Sequence, residues 1–158
     1  MVVSSFLRSP DNPEDNPGGL SEAKARREAL GDAADQLEEF IARPAADPAW
    51  IERVGDALGQ VRGAFDAHVS EVEGDDGLLV QLSADAPRLA HGIAHLYDEH
   101  VEIGRMVEQT EALVRGGDEG NQPAIRDAAV ELLTAISRHR HAGADLVFNA
   151  YNVDIGGE

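Results

Sequence analysis

The chain has 158 residues, with 30 acidic side chains, 13 basic ones and no cysteine, for a formal charge of −17. That length suits one domain, or a domain with a tail, and it can bury a core without disulfide or metal staples. The charge argues against nucleic acid and anionic membrane surfaces as partners, because phosphate binding needs a basic face. The missing cysteines exclude disulfides, iron–sulfur clusters, thiolate zinc sites and cysteine nucleophiles. A reducing cytoplasm is the expected compartment.

No apolar stretch approaches the ~20 residues that a membrane-spanning helix needs. The opening MVVSSFLRSPDNPEDNPGG lacks the basic region and long apolar run of a signal peptide. Rich in proline and in acidic and amide residues, it reads as a disordered lead-in over residues 1–19. Residues 20–158 then form the domain.

The remainder is rich in Ala, Leu, Glu, Arg and Val, and helical spacing dominates it. A first helix is predicted from about Ser21 to Ala42, with Ala23, Leu30, Ala34, Leu37 and Ile41 on one face. Pro44 stops it. Asp47 before Pro48 predicts an N-cap with proline at the first position of a second helix. That helix carries Ile51, Val54, Leu58, Val61, Phe65, His68 and Val72, alternating steps of three and four that mark a stripe facing a bundle. The run Gly74-Asp75-Asp76-Gly77 breaks it, and a short helical continuation holds Leu78, Leu79 and Leu82. A third helix begins near Ser83 to Pro87 and ends at Arg115 before Gly116-Gly117. Its stripe is Leu89, Ile93, Leu96, His100, Ile103, Val107, Thr110 and Val114. A fourth runs from Gln122-Pro123 to about Tyr151, with Ile125, Ala129, Leu132, Ile136, His139, Gly143, Leu146 and Ala150. Short connections between long helices favour antiparallel neighbours, so the expected fold is all-α, an up-down-up-down antiparallel four-helix bundle.

Six histidines are present, and three of them, His68, His100 and His139, lie on the apolar stripes. At about 100° per residue, His91, His95 and His141 point well away from theirs. The three inward histidines sit at similar distances from the helix–helix corners, in agreement to about one turn at ~1.5 Å rise per residue. Each of three helices therefore brings one imidazole to a common layer of the interior. Neutral imidazole is a ligand for iron, zinc, copper or nickel, and bundle cores are where such sites are built. The alternative is a polar core layer in which each histidine is satisfied by a neighbour or by water. Glu71, about 60° off its stripe, can reach inward as a fourth ligand. Glu73, Glu99 and Asp145 lie further round, on faces expected to be solvated. Arg138 and Arg140, which flank His139, read as surface charge.

At this point the residues resemble a known family. Leu96-Tyr97-Asp98-Glu99-His100-Val101-Glu102-Ile103 is similar to the L-x-x-E-H-x-x-I signature of hemerythrin-like (HHE cation-binding) domains. Ala64-Phe65-Asp66-Ala67-His68 resembles their second-helix histidine segment, and His139 to Phe148 with the closing residues 150–157 resembles their fourth helix and end. The resemblance covers residues 20 to 158. It implies a non-haem iron centre inside a four-helix bundle, with His68, His100 and His139 as ligands and O2, NO or peroxide as the small molecule bound or sensed. The chain departs from that family in several places. Val72 and Gly143 stand where bridging carboxylates are usual, and Gly104 and Leu96 stand where the third helix often has a second histidine. No histidine lies on the first helix, and Arg27 falls near its place. A mononuclear or incomplete site follows, with Gly104 and Gly143 leaving room for a ligand.

Three other readings stay open. The bundle can be metal-free and act by protein contact or regulation, as a monomer or a specific homodimer. It can hold a non-covalent haem between two histidines. An oxidase or peroxidase-like activity requires the iron reading first, so binding or sensing is expected ahead of catalysis. The sequence has no phosphate-binding loop, no G-x-S-x-G elbow and no H-E-x-x-H motif.

Overall fold

The computed structural model describes residues 17–152, and all its regular elements are helical: α1 (Pro17–Ala42), α2 (Trp50–Glu73), α3 (Leu78–Asp85), α4 (Ala90–Arg115) and α5 (Gln122–Asn152). Residues 1–16 of the expected lead-in and the closing residues 153–158 lie outside the described residues. Helix α1 starts inside the expected lead-in, four residues before Ser21, where Pro17 brings the fixed φ that suits a first helical position.

The other boundaries follow local chemistry. The Asp47 carboxylate accepts the Ala49 N–H at 3.0 Å, and the Asp47 carbonyl accepts the Trp50 N–H at 2.9 Å. Asp47 thus caps a turn, and α2 begins at Trp50, two residues later than expected. The Trp50 indole N–H donates to the Phe40 carbonyl at 3.0 Å, which ties the start of α2 to the end of α1. The expected short continuation through Leu82 is α3, and the expected third helix is α4, which starts at Ala90, three residues past Pro87. Ala86 precedes Pro87 and takes φ −133°, ψ 70°, outside the helical region that proline disfavours for its predecessor. Helix α3 ends there, and a 3-10 turn over Pro87–Leu89 leads into α4. Gly77 makes a close turn between α2 and α3. A Cβ there would come within 2.5 Å of the Val72 carbonyl oxygen, so only glycine fits.

Helix α1 packs against α2 and α5, and α4 packs against the same two. The predicted stripes are the buried ones. The larger apolar cluster includes Leu30, Leu37, Val54, Leu58, Val61, Phe65, Ile103, Val107, Ile125, Leu132 and Ile136. A smaller one joins Ala23, Val72, Leu79, Leu82, Ile93, Leu96 and Leu146. Between the two clusters, in chain order on each helix, come His68, His100 and His139, all buried. The core is therefore two apolar blocks separated by a layer of imidazoles.

Gly59 and Gly63 lie on the outer side of α2, where an added Cβ meets nothing within 4 Å. Glycine in an exposed helix interior sacrifices backbone entropy. Gly59→Ala and Gly63→Ala are each expected to raise unfolding free energy by about 0.5–1 kcal/mol in urea denaturation.

Candidate metal centre

The heptad-like stripe of α2 delivers His68 one turn after Phe65, α4 delivers His100 one turn after Leu96, and α5 delivers His139 just beyond Ile136. Their Nε2 atoms converge: His100 to His139 is 2.9 Å, His68 to His139 is 3.1 Å and His68 to His100 is 3.3 Å. No side chain fills the space between them. The rings meet edge-on, with centroids 4.5–5.3 Å apart. The rings as placed leave no room for a porphyrin plane between them.

Two carboxylates fix the protons. The His100 Nδ1–H donates to Glu73 Oε1 at 2.5 Å, and the His139 Nδ1–H donates to Glu99 Oε2 at 2.7 Å. The Nε2 of the exposed His95 lies 3.2 Å from the other Glu99 oxygen. With Nδ1 protonated in both rings, the Nε2 atoms of neutral His100 and His139 carry lone pairs that face each other across the shortest edge of the triangle. His68 Nδ1 is buried without a partner. Its proton can therefore sit on Nε2, but a proton there serves only the two edges that His68 shares. The His100–His139 approach still requires a cation, either a shared proton or a metal ion.

The donor set fits a metal. Bonds of ~2.0–2.1 Å to imidazole, at angles between octahedral and tetrahedral, place ligand nitrogens about 2.8–3.4 Å apart. All three edges fall within that range. A histidine ligand whose other ring nitrogen donates to a carboxylate is the usual outer-shell arrangement, because it sets the tautomer and makes the ligand more basic. Burial holds His68 down to a pKa of about 3, with repulsion from His139, His100 and Arg27 adding to it. Burial also lowers His139, against the opposing pull of its bond to Glu99. Both rings are thus neutral, as ligation requires.

The structure brings together His68, His100 and His139 but not Glu71. Among the described residues these three form the group that could hold a metal ion, their donor atoms within 4.8 Å of one another, and half-buried Glu71 is outside it. Glu73 and Glu99, expected on solvated faces, are instead only 29% and 22% exposed and hold the histidines. Asp145 is exposed, as are His91, His95 and His141. Glu73 lies on the flank of α2 that meets α4, and Glu99 on the flank of α4 that meets α5. A flank position is well off the core stripe yet faces the neighbouring helix, and the long glutamate side chain crosses to it.

A cavity of about 40 Å³ adjoins the three imidazoles, lined also by Arg27, Arg140 and Gly143. Gly143 has open space at its Cβ position, whereas Gly104 lies against Phe65. Arg140 is not surface charge: it is half-buried, and its guanidinium lies over Gly31 of α1. No helix among the described residues is long and apolar enough to cross a membrane. Comparison with protein-family models, with curated proteins and with solved structures gives no match.

Proposed function

We propose that the chain binds one divalent metal ion through the Nε2 atoms of His68, His100 and His139, and presents it to a small molecule. The observation that carries this reading is the triangle of Nε2 atoms with edges of 2.9, 3.1 and 3.3 Å, two of whose rings are oriented by glutamates. The resemblance to hemerythrin-like domains favours non-haem iron and a ligand such as O2 or NO. It also favours an up-down antiparallel order for the helices. Short connections and the packing of α1 and α4 each against α2 and α5 support that order.

Three protein ligands leave coordination positions open, so the ion would act as a Lewis acid toward an incoming small ligand. The chain's own residues do the rest. Glu73 and Glu99 hold the Nδ1 protons and keep the Nε2 lone pairs directed inward. The apolar blocks on either side exclude bulk water. Val72 and Gly143 supply no bridging carboxylate, which favours one ion over two. A catalytic activity would require the iron site first, and we assign binding or sensing ahead of catalysis.

A metal-free reading has one observation in its favour. The Nε2 separations also suit hydrogen bonds, and an imidazolium sharing a proton would hold the layer together. The bundle would then act through contacts with another protein. Anaerobic titration of the tag-free chain with ferrous iron, and in parallel with cobalt(II), separates the two. One equivalent bound, with a cobalt spectrum typical of nitrogen ligation, supports the metal site. No binding of either ion sinks it. Glu99→Ala is expected to weaken binding by about 10–100-fold, because His139 loses its orienting partner. An unchanged affinity would remove the carboxylate from the account.

A further inference from the structure

We propose that the cavity beside the three histidines is an anion site, in which Arg27 and Arg140 recognise a small planar oxyanion of the carboxylate type.

The chain offers 30 carboxylate side chains to 13 cations. Exposed arginines are solvated by water, but half-buried ones need a partner: Arg62 pairs with Glu111, and Arg126 donates to the Arg43 carbonyl and lies over the Trp50 ring. Arg27 and Arg140, half-buried at the cavity, have no carboxylate within 4.0 Å among the described residues. The Arg140 Nε is moreover buried with no hydrogen-bond partner at all. A guanidinium cannot shed its charge, so a buried and unanswered donor is expensive to keep.

The two cations also line the same cavity. The Arg140 guanidinium crosses from α5 to α1 and rests over Gly31, where a Cβ would overlap it. Arg27 is one turn earlier on α1, four residues before Gly31, and positions so spaced are neighbours on a helix face. Its charge is felt at His68, where it helps keep the ring neutral. Two like charges thus line a cavity that the histidine triangle lines as well. Both charges call for the same missing partner, an anion between them.

The size and shape of the space limit that anion. About 40 Å³ is several times the ~10–15 Å³ that one water requires and far below the ~300 Å³ of a drug-sized pocket. A few heavy atoms fit. The planar fork of a guanidinium matches a carboxylate in two parallel hydrogen bonds, which favours a planar oxyanion over a tetrahedral one. The lining beyond the charges is apolar, with Ala23, Val72, Leu79 and Leu146, and suits an anion with no further polar group. This inference rests on the metal reading only for the anion's contact with the ion, and the arginine pair stands without it.

Formate is the probe. It is titrated in low-chloride buffer into the cobalt-loaded full chain, followed by the visible spectrum, and into the metal-free chain, followed by backbone amide shifts. Arg27→Gln and Arg140→Gln are each expected to weaken formate binding at least tenfold with cobalt loading unchanged. Gly31→Ala keeps every charge but displaces the Arg140 guanidinium, and is expected to weaken formate as well. Arg138→Gln, at an exposed arginine of the same helix, is expected to leave it unchanged. If the chain binds no cobalt yet formate binding still depends on Arg27 and Arg140, the anion site stands and the metal reading falls. If cobalt binds but formate affinity is the same in both variants, or falls equally in Arg138→Gln, the anion site is overturned. An absence of formate binding to either form overturns it too.

Discussion

His100→Ala is expected to abolish metal binding, while the exposed His91→Ala leaves it intact. His100 occupies two edges of the Nε2 triangle, including the shortest at 2.9 Å, and its removal leaves two donors in a site with no fourth ligand at hand. The loss should exceed the ~10–100-fold that removing an outer-shell carboxylate produces. Competition titration against a chelator of known affinity measures it. The fold should tolerate the change. Without a bound cation the layer brings neutral imidazole lone pairs together in the interior, which is a liability rather than a source of stability. His100→Leu would join the two apolar blocks, so the metal-free variant is expected to be at least as stable as the parent chain while losing the metal. A marked loss of stability in His100→Leu would show that the imidazoles hold the core together themselves.

The second large effect is on acid stability. Burial keeps His68 neutral in the folded chain, with its pKa held to about 3 against the ordinary 6.5. The unfolded chain takes up this proton as the pH falls through 6.5, and the folded chain does not until about pH 3. The unfolded state therefore binds more protons throughout that window, and folding stability falls with falling pH. The slope for this one group is roughly 1.4 kcal/mol per pH unit, so that its full effect is on the order of 5 kcal/mol. His139, also lowered by burial, acts in the same direction. Urea denaturation of the metal-free chain between pH 8 and pH 4 should show stability nearly constant above about 7 and declining steeply below 6.5. The decline should be much smaller in His68→Leu. An equal decline in both would place the acid sensitivity elsewhere.

Much of the fold is legible in the sequence, because helical periodicity reports burial directly. Val54, Leu58, Val61, Phe65, His68 and Val72 form one stripe in the chain and one buried face in the molecule. The convergence of His68, His100 and His139 is legible for the same reason, since angle and height are both fixed by helix geometry. What periodicity does not report is the relation between a helix and its neighbours. Glu73 and Glu99 lie off the stripes, and an angular test assigns them to solvent. Only the packing of α2 beside α4 and of α4 beside α5 turns those flanks toward His100 and His139. Arg140 escapes the same test, because its destination is the bare backbone at Gly31 on another helix. The break at Ala86 is legible too: it lies within the Ser83–Pro87 start expected for the third helix, because of the proline that follows it.

The most direct measurement is an anomalous difference map from a crystal of the tag-free chain grown with ferrous iron or cobalt(II), collected at the metal's absorption edge. A single peak bonded to the Nε2 atoms of His68, His100 and His139 at ~2.0–2.2 Å is the predicted result. An empty triangle at full metal concentration, or a peak held by surface carboxylates alone, would contradict the account.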